Sequence, residues 1–327
     1  MRHRRLASLI GIVVLVAILC SCSPNASLPA NGTSSLPTDY SSSVKVVVTR
    51  DFGKQILVEQ TVIIGEDTTA MDALRQIAKV NTKYGGGFVS AINSIGSEYE
   101  GSSNSKKDWF FYINGISSIV GANDYVLRGG DIEHWDFRDW SYHEFAPAII
   151  GDFPQPFLSG FQGKVRPTII VYHRGLEEYA QSVAGRLSEL GVKEISVQGY
   201  DQLTQGDQEH CNLILLGTKD NELISELNDI YTRLGFYAYF SQEKLVALNS
   251  KGEVASEYGA GSGLIQATQN PWNPKGVGAS ENVVWVVSGS DEAGVESAAR
   301  ALIDHQADFK YAHAVVITGG KVIKLPQ

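Results

Sequence analysis

Cysteine is nearly missing from this chain. It has three in 327 residues, Cys20, Cys22 and Cys211. Two of them stand next to each other but one at the extreme N-terminus, so Cys211 alone is left to the folded part and no internal disulfide framework can form. Burial must carry the stability. Clustered basic residues are absent beyond residue 5, and acids outnumber bases 36 to 27 for a formal charge of −9. That balance favours solubility and excludes phosphate-backbone binding, so no nucleic acid is expected as a partner. Catalytic signatures are missing as well. There is no His-Glu-x-x-His helix, no Cys-x-x-Cys in the folded part, no Walker loop and no Gly-x-Ser-x-Gly elbow. His134, His143, His173, His210, His305 and His313 share no metal-ligand spacing. The expectation is a protein that is not an enzyme and has no built-in metal or cofactor. No apolar run is long enough to cross a bilayer as a helix, which takes about 20 residues.

The longest such run, Leu6 to Leu19, follows Arg2, His3, Arg4 and Arg5. A basic start, a short apolar core and a small-residue end read as a secretory signal. The end, Leu19-Cys20-Ser21-Cys22, resembles a bacterial lipobox, with Leu19 three residues before Cys22 and small Ser21 just before it. Residues 1–21 are therefore expected to be a lipoprotein signal peptide. Cys22 becomes the lipidated N-terminus, anchored in the membrane by acyl chains at roughly 0.8 kcal/mol per buried methylene. An uncleaved signal anchor is the alternative. Either way the chain works on the extracytoplasmic face of the cell membrane. Loss of Arg2, Arg4 and Arg5 with the leader takes the formal charge to −12.

Residues 22–43, rich in Ser, Pro, Asn and Gly, read as a flexible tether. Val44 to Val48 alternates as a strand, and Ile56 to Ile64 is a second, with Asp51-Phe52-Gly53-Lys54 turning between them. Thr69 and Asp72 have the spacing of a capping box, ahead of an apolar helical face of Ala70, Ala73, Leu74, Ile77 and Ala78. Strands follow near Phe88–Ile92, Trp109–Ile113 and Asp131–Phe137. Two strands, a helix and more strands predict a β-grasp-like α+β domain over 44–140. Residues 141–166 form a Pro- and Gly-containing linker. From residue 167 to 327, apolar strands alternate with helical stripes, as at Thr168–Tyr172, Leu176–Leu187, Asn212–Gly217, Leu223–Leu234, Val283–Ser288 and Val295–Ile303. Ala314–Thr318 and Lys321–Leu325 read as a hairpin about Gly319-Gly320. This pattern predicts an α/β domain with a mostly parallel sheet.

The densest segment is Asp108 to Asp136, with Trp109, Phe110, Phe111 and Tyr112 in succession, then Tyr125 and Trp135. On a strand only alternate rings can point inward, so a small domain with this many aromatics is expected to expose some. An exposed aromatic patch marks a binding surface. His134 reads either as an exposed strand residue or as a ligand to a metal carried by a bound cofactor. Gly259–Gly263 reads as a bend or a phosphate cradle. Ser288–Asp291 reads as a helix cap or as a site at the carboxyl end of a strand. Cys211, in the apolar run His210-Cys211-Asn212-Leu213-Ile214, reads as a buried structural thiol.

Several stretches resemble the transcobalamin C-terminal-like domain of vitamin B12 carriers and bacterial surface lipoproteins. They are VTRDFGK (48–54), AMDAL (70–74), YGGGFV (84–89), DWFFYINGI (108–116), VGANDYVLRGGDI (120–132), Trp135 and Trp140. The resemblance covers about 95 residues. It implies a domain that closes over one face of a corrin ring, and it places Trp109, Phe111, Tyr112, Asn114 and Trp135 nearest the ligand; Tyr125, in the same aromatic segment, is the sixth candidate binding residue. The carriers' helical barrel has no counterpart here, so a second chain would have to complete the site. Residues 167–327 more weakly resemble α/β segments of S-layer-type surface proteins, through NLILLGTKDN (212–221), GLIQATQNPWNP (263–274) and VVWVVSGSDEAGVESAARALI (283–303). Together these imply a lipid-anchored binding protein that captures a corrinoid for uptake, with a vitamin transporter or envelope protein as partner. The alternative is a non-catalytic surface scaffold that binds another envelope component.

Overall fold

The computed structural model describes residues 42–99 and 105–327. The expected leader, Cys22 and nearly all of the tether lie outside the described residues. No helix among the described residues is long and apolar enough to cross a membrane.

The chain opens with β1 (Ser43–Arg50) and β2 (Gln55–Ile63), then α1 (Ala70–Ile77). It continues through β3 (Val80–Lys83), β4 (Phe88–Ile92), β5 (Ile95–Gly96), β6 (Lys107–Ile113), β7 (Ile116–Ser117) and β8 (Ile132–Asp139). Strands order as β2-β1-β8-β6-β7 in one sheet, and β3-β4-β5 form a small antiparallel one. Within the larger sheet only β1 and β8 run parallel; β1–β2, β6–β8 and β6–β7 are antiparallel. Thr69 starts α1 through a complete capping box: its hydroxyl accepts from the Asp72 amide, and the Asp72 carboxylate accepts from the Thr69 amide. The helix buries Ala70, Met71, Ala73 and Leu74 against the sheet.

The remainder holds β9 (Thr168–Tyr172), α2 (Glu177–Glu189), β10 (Ile195–Gly199), α3 (Gln205–His210), β11 (Asn212–Thr218) and α4 (Glu222–Asp229). After these come β12 (Ala238–Ser241), β13 (Lys244–Leu248), β14 (Val254–Tyr258), β15 (Gly263–Gln269), β16 (Val283–Gly289), α5 (Glu292–Asp304), β17 (Ala314–Thr318) and β18 (Lys321–Leu325). The main sheet orders as β10-β9-β11-β16-β15-β17-β18, and β12-β13-β14 make a separate antiparallel sheet.

This corrects the expected fold class, an α+β domain followed by an α/β domain with a mostly parallel sheet. The sheets are mixed or antiparallel. In the largest, β10, β9, β11 and β16 are parallel, but β15, β17 and β18 join antiparallel. Continuous apolar runs suggested parallel pairing because they imply burial on both faces. Here the antiparallel strands β15 and β17 are also buried on both faces. Val287, Ile265, Val315 and Ile317 meet the apolar side of α5. Leu264, Val316 and Leu325 meet Phe240, Leu245 and Ala247 of the β12–β14 sheet.

Helix α5 sits close to the sheet because glycine lies at the crossing. A Cβ on Gly263 would fall 2.4 Å from the Gly294 carbonyl oxygen, and one on Gly289 would fall 2.4 Å from the Val295 nitrogen. Asp291 caps that helix through Gly294 N and also accepts from Gly261 N. Cys211 is buried and unpaired. The segment 141–166 is not peripheral: Ile149, Ile150, Phe157 and Phe161 are buried in it.

Candidate functional site

Strand alternation divides the aromatic segment between two faces. Antiparallel pairing sets Trp109 opposite Phe137 and Phe111 opposite Trp135. These four rings share the face that carries α1. The Phe111 and Trp135 rings stack with centroids 4.7 Å apart and planes 24° apart. Trp109 and Phe137 lie at 5.1 Å. Both indoles are fixed by hydrogen bonds. Trp109 Nε1 donates to the Ile95 carbonyl at 3.1 Å, and Trp135 Nε1 donates to Glu133 Oε1 at 2.7 Å.

Above these rings lies a groove of about 300 Å³. Its floor is Trp109, Phe111 and Trp135; Met71, Phe88 and Val89 line one side, and the loop Ser118–Ala122 the other. Local chemistry builds that loop. Ser118 Oγ donates to the Val120 carbonyl at 2.7 Å and accepts from the Val120 amide. The carbonyls of Ala122 and Tyr125 take the first amides of α1, at Met71 and Ala70. Asn123 Nδ2 donates to the Gly86 carbonyl at 2.7 Å and ties the loop to the turn before β4. Gly86 has φ of +100°, and a Cβ there would meet that same amide nitrogen at 2.7 Å. Ile119 stands exposed at the rim.

Of the six candidate binding side chains, Trp109, Phe111 and Trp135 come together in this groove. Tyr112, Asn114 and Tyr125 do not. Tyr112 points to the opposite face, where its ring lies 5.7 Å from that of His313 and 6.2 Å from that of His134. Burial raises its phenol pKa. Asn114, in a turn at φ of +54°, donates to Asp131 Oδ1 and the Gly160 carbonyl and accepts from the Ile132 amide. It therefore shapes a turn. Tyr125 packs edge-on against Phe161 and accepts from the Gln162 amide at 2.9 Å. Burial raises its pKa too.

The expected surplus of exposed rings is corrected in the same way. Trp109, Tyr112, Tyr125, Trp135 and Phe137 are all buried, and Phe111 is half-buried. A surplus follows only if the module stands alone, and its second face is covered by the rest of the chain. The Arg138 guanidinium lies 3.5 Å above the Phe110 ring, and Phe52 contacts Tyr237 and His313.

That covered face holds a buried polar network. Thr49 Oγ1 donates to Asp136 Oδ1 at 2.7 Å and lies 2.8 Å from His134 Nε2. With its one proton committed to Asp136, Thr49 must accept from Nε2–H. His134 Nδ1 is 3.0 Å from Asp152 Oδ1. Both ring nitrogens then carry protons. Burial opposes that charge, but Asp152 and then Asp136 outweigh it and raise the His134 pKa. His134 is thus neither an exposed strand residue nor open to a ligand's metal. Among the described residues, no group of three or more His, Cys, Asp or Glu is placed to hold a metal ion.

Glu133 is what sequence reasoning missed. It is fully buried on the groove's face of the sheet, its Oε2 has no partner, and burial pushes its carboxyl pKa well up. The alternation Glu133-His134-Trp135 put it inward with Trp135, which was the available signal. A cleft of about 1030 Å³ lies at the carboxyl ends of β9 and β10. Glu177, Glu178 and Asp201 outnumber Arg174 in its lining, beside His173, so it carries negative charge like the chain as a whole.

Residues 67–139 match a family model described as a domain of unknown function, DUF4430. No curated protein matches the chain. Among solved structures, a protein of Ruminococcus gnavus proposed to bind metal is similar at 14% identity. The similarity covers 30% of this chain and 96% of that one, with a TM-score of 0.23. Neither the lipoprotein reading nor the transcobalamin-like one is carried by these matches.

Proposed function

We propose that this protein is a non-catalytic binding protein, lipid-anchored through Cys22 on the extracytoplasmic face of the membrane, whose groove takes the edge of a flat, apolar ligand. One observation carries the reading: the half-buried Phe111, beside the buried Trp109 and Trp135, lines a groove beneath the loop Ser118–Ala122. Ligand pockets hold about 300–1,000 Å³ and are lined mostly by apolar and aromatic side chains. The groove lies at the small end of that range. A corrinoid is the first candidate because of the sequence resemblance, and a groove of this size would hold one edge of such a ring. A second chain, such as a vitamin transporter, would have to cover the rest. The test is titration of the chain from Asp39 onward, which is one compact unit, with cobalamin and with cobinamide. Saturable change in the visible spectrum, with quenching of tryptophan fluorescence, is expected; no change up to about 100 µM, an affinity worth about 5.5 kcal/mol, removes the corrinoid. Anchoring is tested separately by Cys22→Ser, which should release the protein from the membrane fraction.

A further inference from the structure

A second cavity adjoins the aromatic groove. It holds about 310 Å³ and shares Ile119 and Val120 with the groove as a common wall. Its character is the reverse of the groove's. Lys164, Arg166 and Lys275 line it against one carboxylate, Glu281. In a chain with a formal charge of −9, that local excess of two positive charges is out of keeping with its surroundings. Glu281 is already shared, with Lys275 Nζ at 2.5 Å and Arg166 at 3.4 Å. Lys164 has no acidic partner among the described residues, and Arg166 Nε is buried without an acceptor.

The basic cavity is held rigidly to the groove. Gln269, almost fully buried, accepts from the amides of Gly278 and Ser280. Its amide nitrogen donates to the carbonyls of Ser117 and Pro147. Ser280 Oγ donates to the same Ser117 carbonyl at 3.0 Å. The loop carrying Lys275 and Glu281 is thereby fixed to the residue that precedes the shared wall. On the other side, the tight turn Phe161–Lys164 presents Lys164.

We infer that the groove's ligand is an amphiphilic anion: a flat apolar body over Phe111 and Trp135, joined to a carboxylate, phosphate or sulfonate that reaches past Ile119 to Lys164, Arg166 and Lys275. This deepens the proposed function and rests on it. Both cavities are concave, so the occupant is a small soluble molecule and not a layer of lipid headgroups. Glu281 acts as the resident counter-ion that the ligand's anion displaces in part.

Two fluorescent probes that differ by one group test this on the purified full chain. N-phenyl-1-naphthylamine is neutral; 8-anilino-1-naphthalenesulfonate is the same ring system with a sulfonate. The expected result is that both bind, that Phe111→Ala weakens both, and that the sulfonate binds about tenfold tighter at low salt. Lys164→Glu with Lys275→Glu, both at exposed positions, should remove that advantage and leave the neutral probe unchanged. Glu281→Gln should strengthen sulfonate binding about threefold, as for loss of a partly exposed charge interaction. Equal affinity for the two probes, or charge variants that leave the sulfonate's affinity unchanged, would overturn the anion assignment while the groove reading stands. If Phe111→Ala affects neither probe, the groove reading falls and the inference with it. Displacement of the sulfonate by phosphatidylglycerol vesicles but not by soluble decanoate would also overturn it, in favour of a lipid surface.

Discussion

The Trp135 indole donates to Glu133, two residues back on the same strand, at 2.7 Å, and that carboxyl is buried with its other oxygen unpartnered. A buried acid without a cation stays protonated, since burial penalises the charged form. Its folded pKa is raised, so its contribution to stability is full below the unfolded value near 4.3 and lost as pH rises toward the folded one. Glu133→Gln keeps the acceptor for Trp135 and cannot ionise. The variant should melt above the parent by about 2–6 °C at pH 8, roughly 1–2 kcal/mol. The two should converge near pH 4. A gap that is constant with pH would mean that Glu133 does not titrate as described.

Phe111 is the half-buried ring of the groove floor and stacks on Trp135. Because one side already faces solvent, Phe111→Ala should cost less than the 3–5 kcal/mol of a full core truncation, at about 1–2 kcal/mol. Urea unfolding would give that figure. Near-UV circular dichroism should lose part of its tryptophan signal while the far-UV spectrum holds. A cost near zero would mean that the stack contributes nothing.

At the crossing of α5 with the sheet, substitution distinguishes contact from conformational freedom. Gly263→Ala places a methyl 2.4 Å from a carbonyl oxygen of the helix and 3.0 Å from the Ala298 methyl. The helix must shift, at about 1–3 kcal/mol. Gly259, four residues earlier, has open space for 4 Å around the place a methyl would take and no positive φ, so Gly259→Ala should change the melting temperature by less than about 1 °C. Comparable melting temperatures for the two variants would refute the close approach.

Local chemistry was legible in the sequence where it acts over a few residues. Thr69 and Asp72 announced the start of α1, Gly319-Gly320 the last hairpin, and Asp291 the cap of α5. Alternation set Trp109 and Phe111 on the face away from Tyr112, yet the expected ligand set joined all three, because alternation could not say what covered the other face. Tyr112 and His134 are buried by His313 and Tyr311, which come from the far end of the chain. Strand direction was equally hidden. Val283–Gly289 and Gly263–Gln269 are both fully buried runs, and nothing in an apolar run records which way its neighbour points. The basic cavity escaped notice because Lys275 and Glu281 lie far along the chain from Lys164 and Arg166 and are brought beside the loop after Ser117 by the hydrogen bonds of Gln269 and Ser280.

Asp136 links the two halves through a turn of unusual backbone. Asp51, Phe52 and Gly53 all have positive φ, at 55°, 63° and 73°. The Asp136 carboxylate accepts from the amides of Phe52 and Gly53 at 3.1 Å each and from Thr49 Oγ1 at 2.7 Å. This holds the Phe52 ring against Tyr237 and His313. Burial would raise the Asp136 pKa, but His313, 3.5 Å away, then the charge on His134 and the Thr49 hydroxyl outweigh it and lower it to about 2. A depressed carboxylate contributes stability that is full above its unfolded pKa, near 3.9, and lost as pH falls through the folded value. Asp136→Asn removes the charge but keeps the size, and one amide donor is turned toward groups that also donate. It should cost about 2–3 kcal/mol at pH 7. In urea titrations the parent's advantage should hold from pH 7 to about pH 5 and shrink steadily between pH 4 and pH 2. An advantage that persists unchanged at pH 2 would show that shape at Asp136, and not its charge, holds the turn.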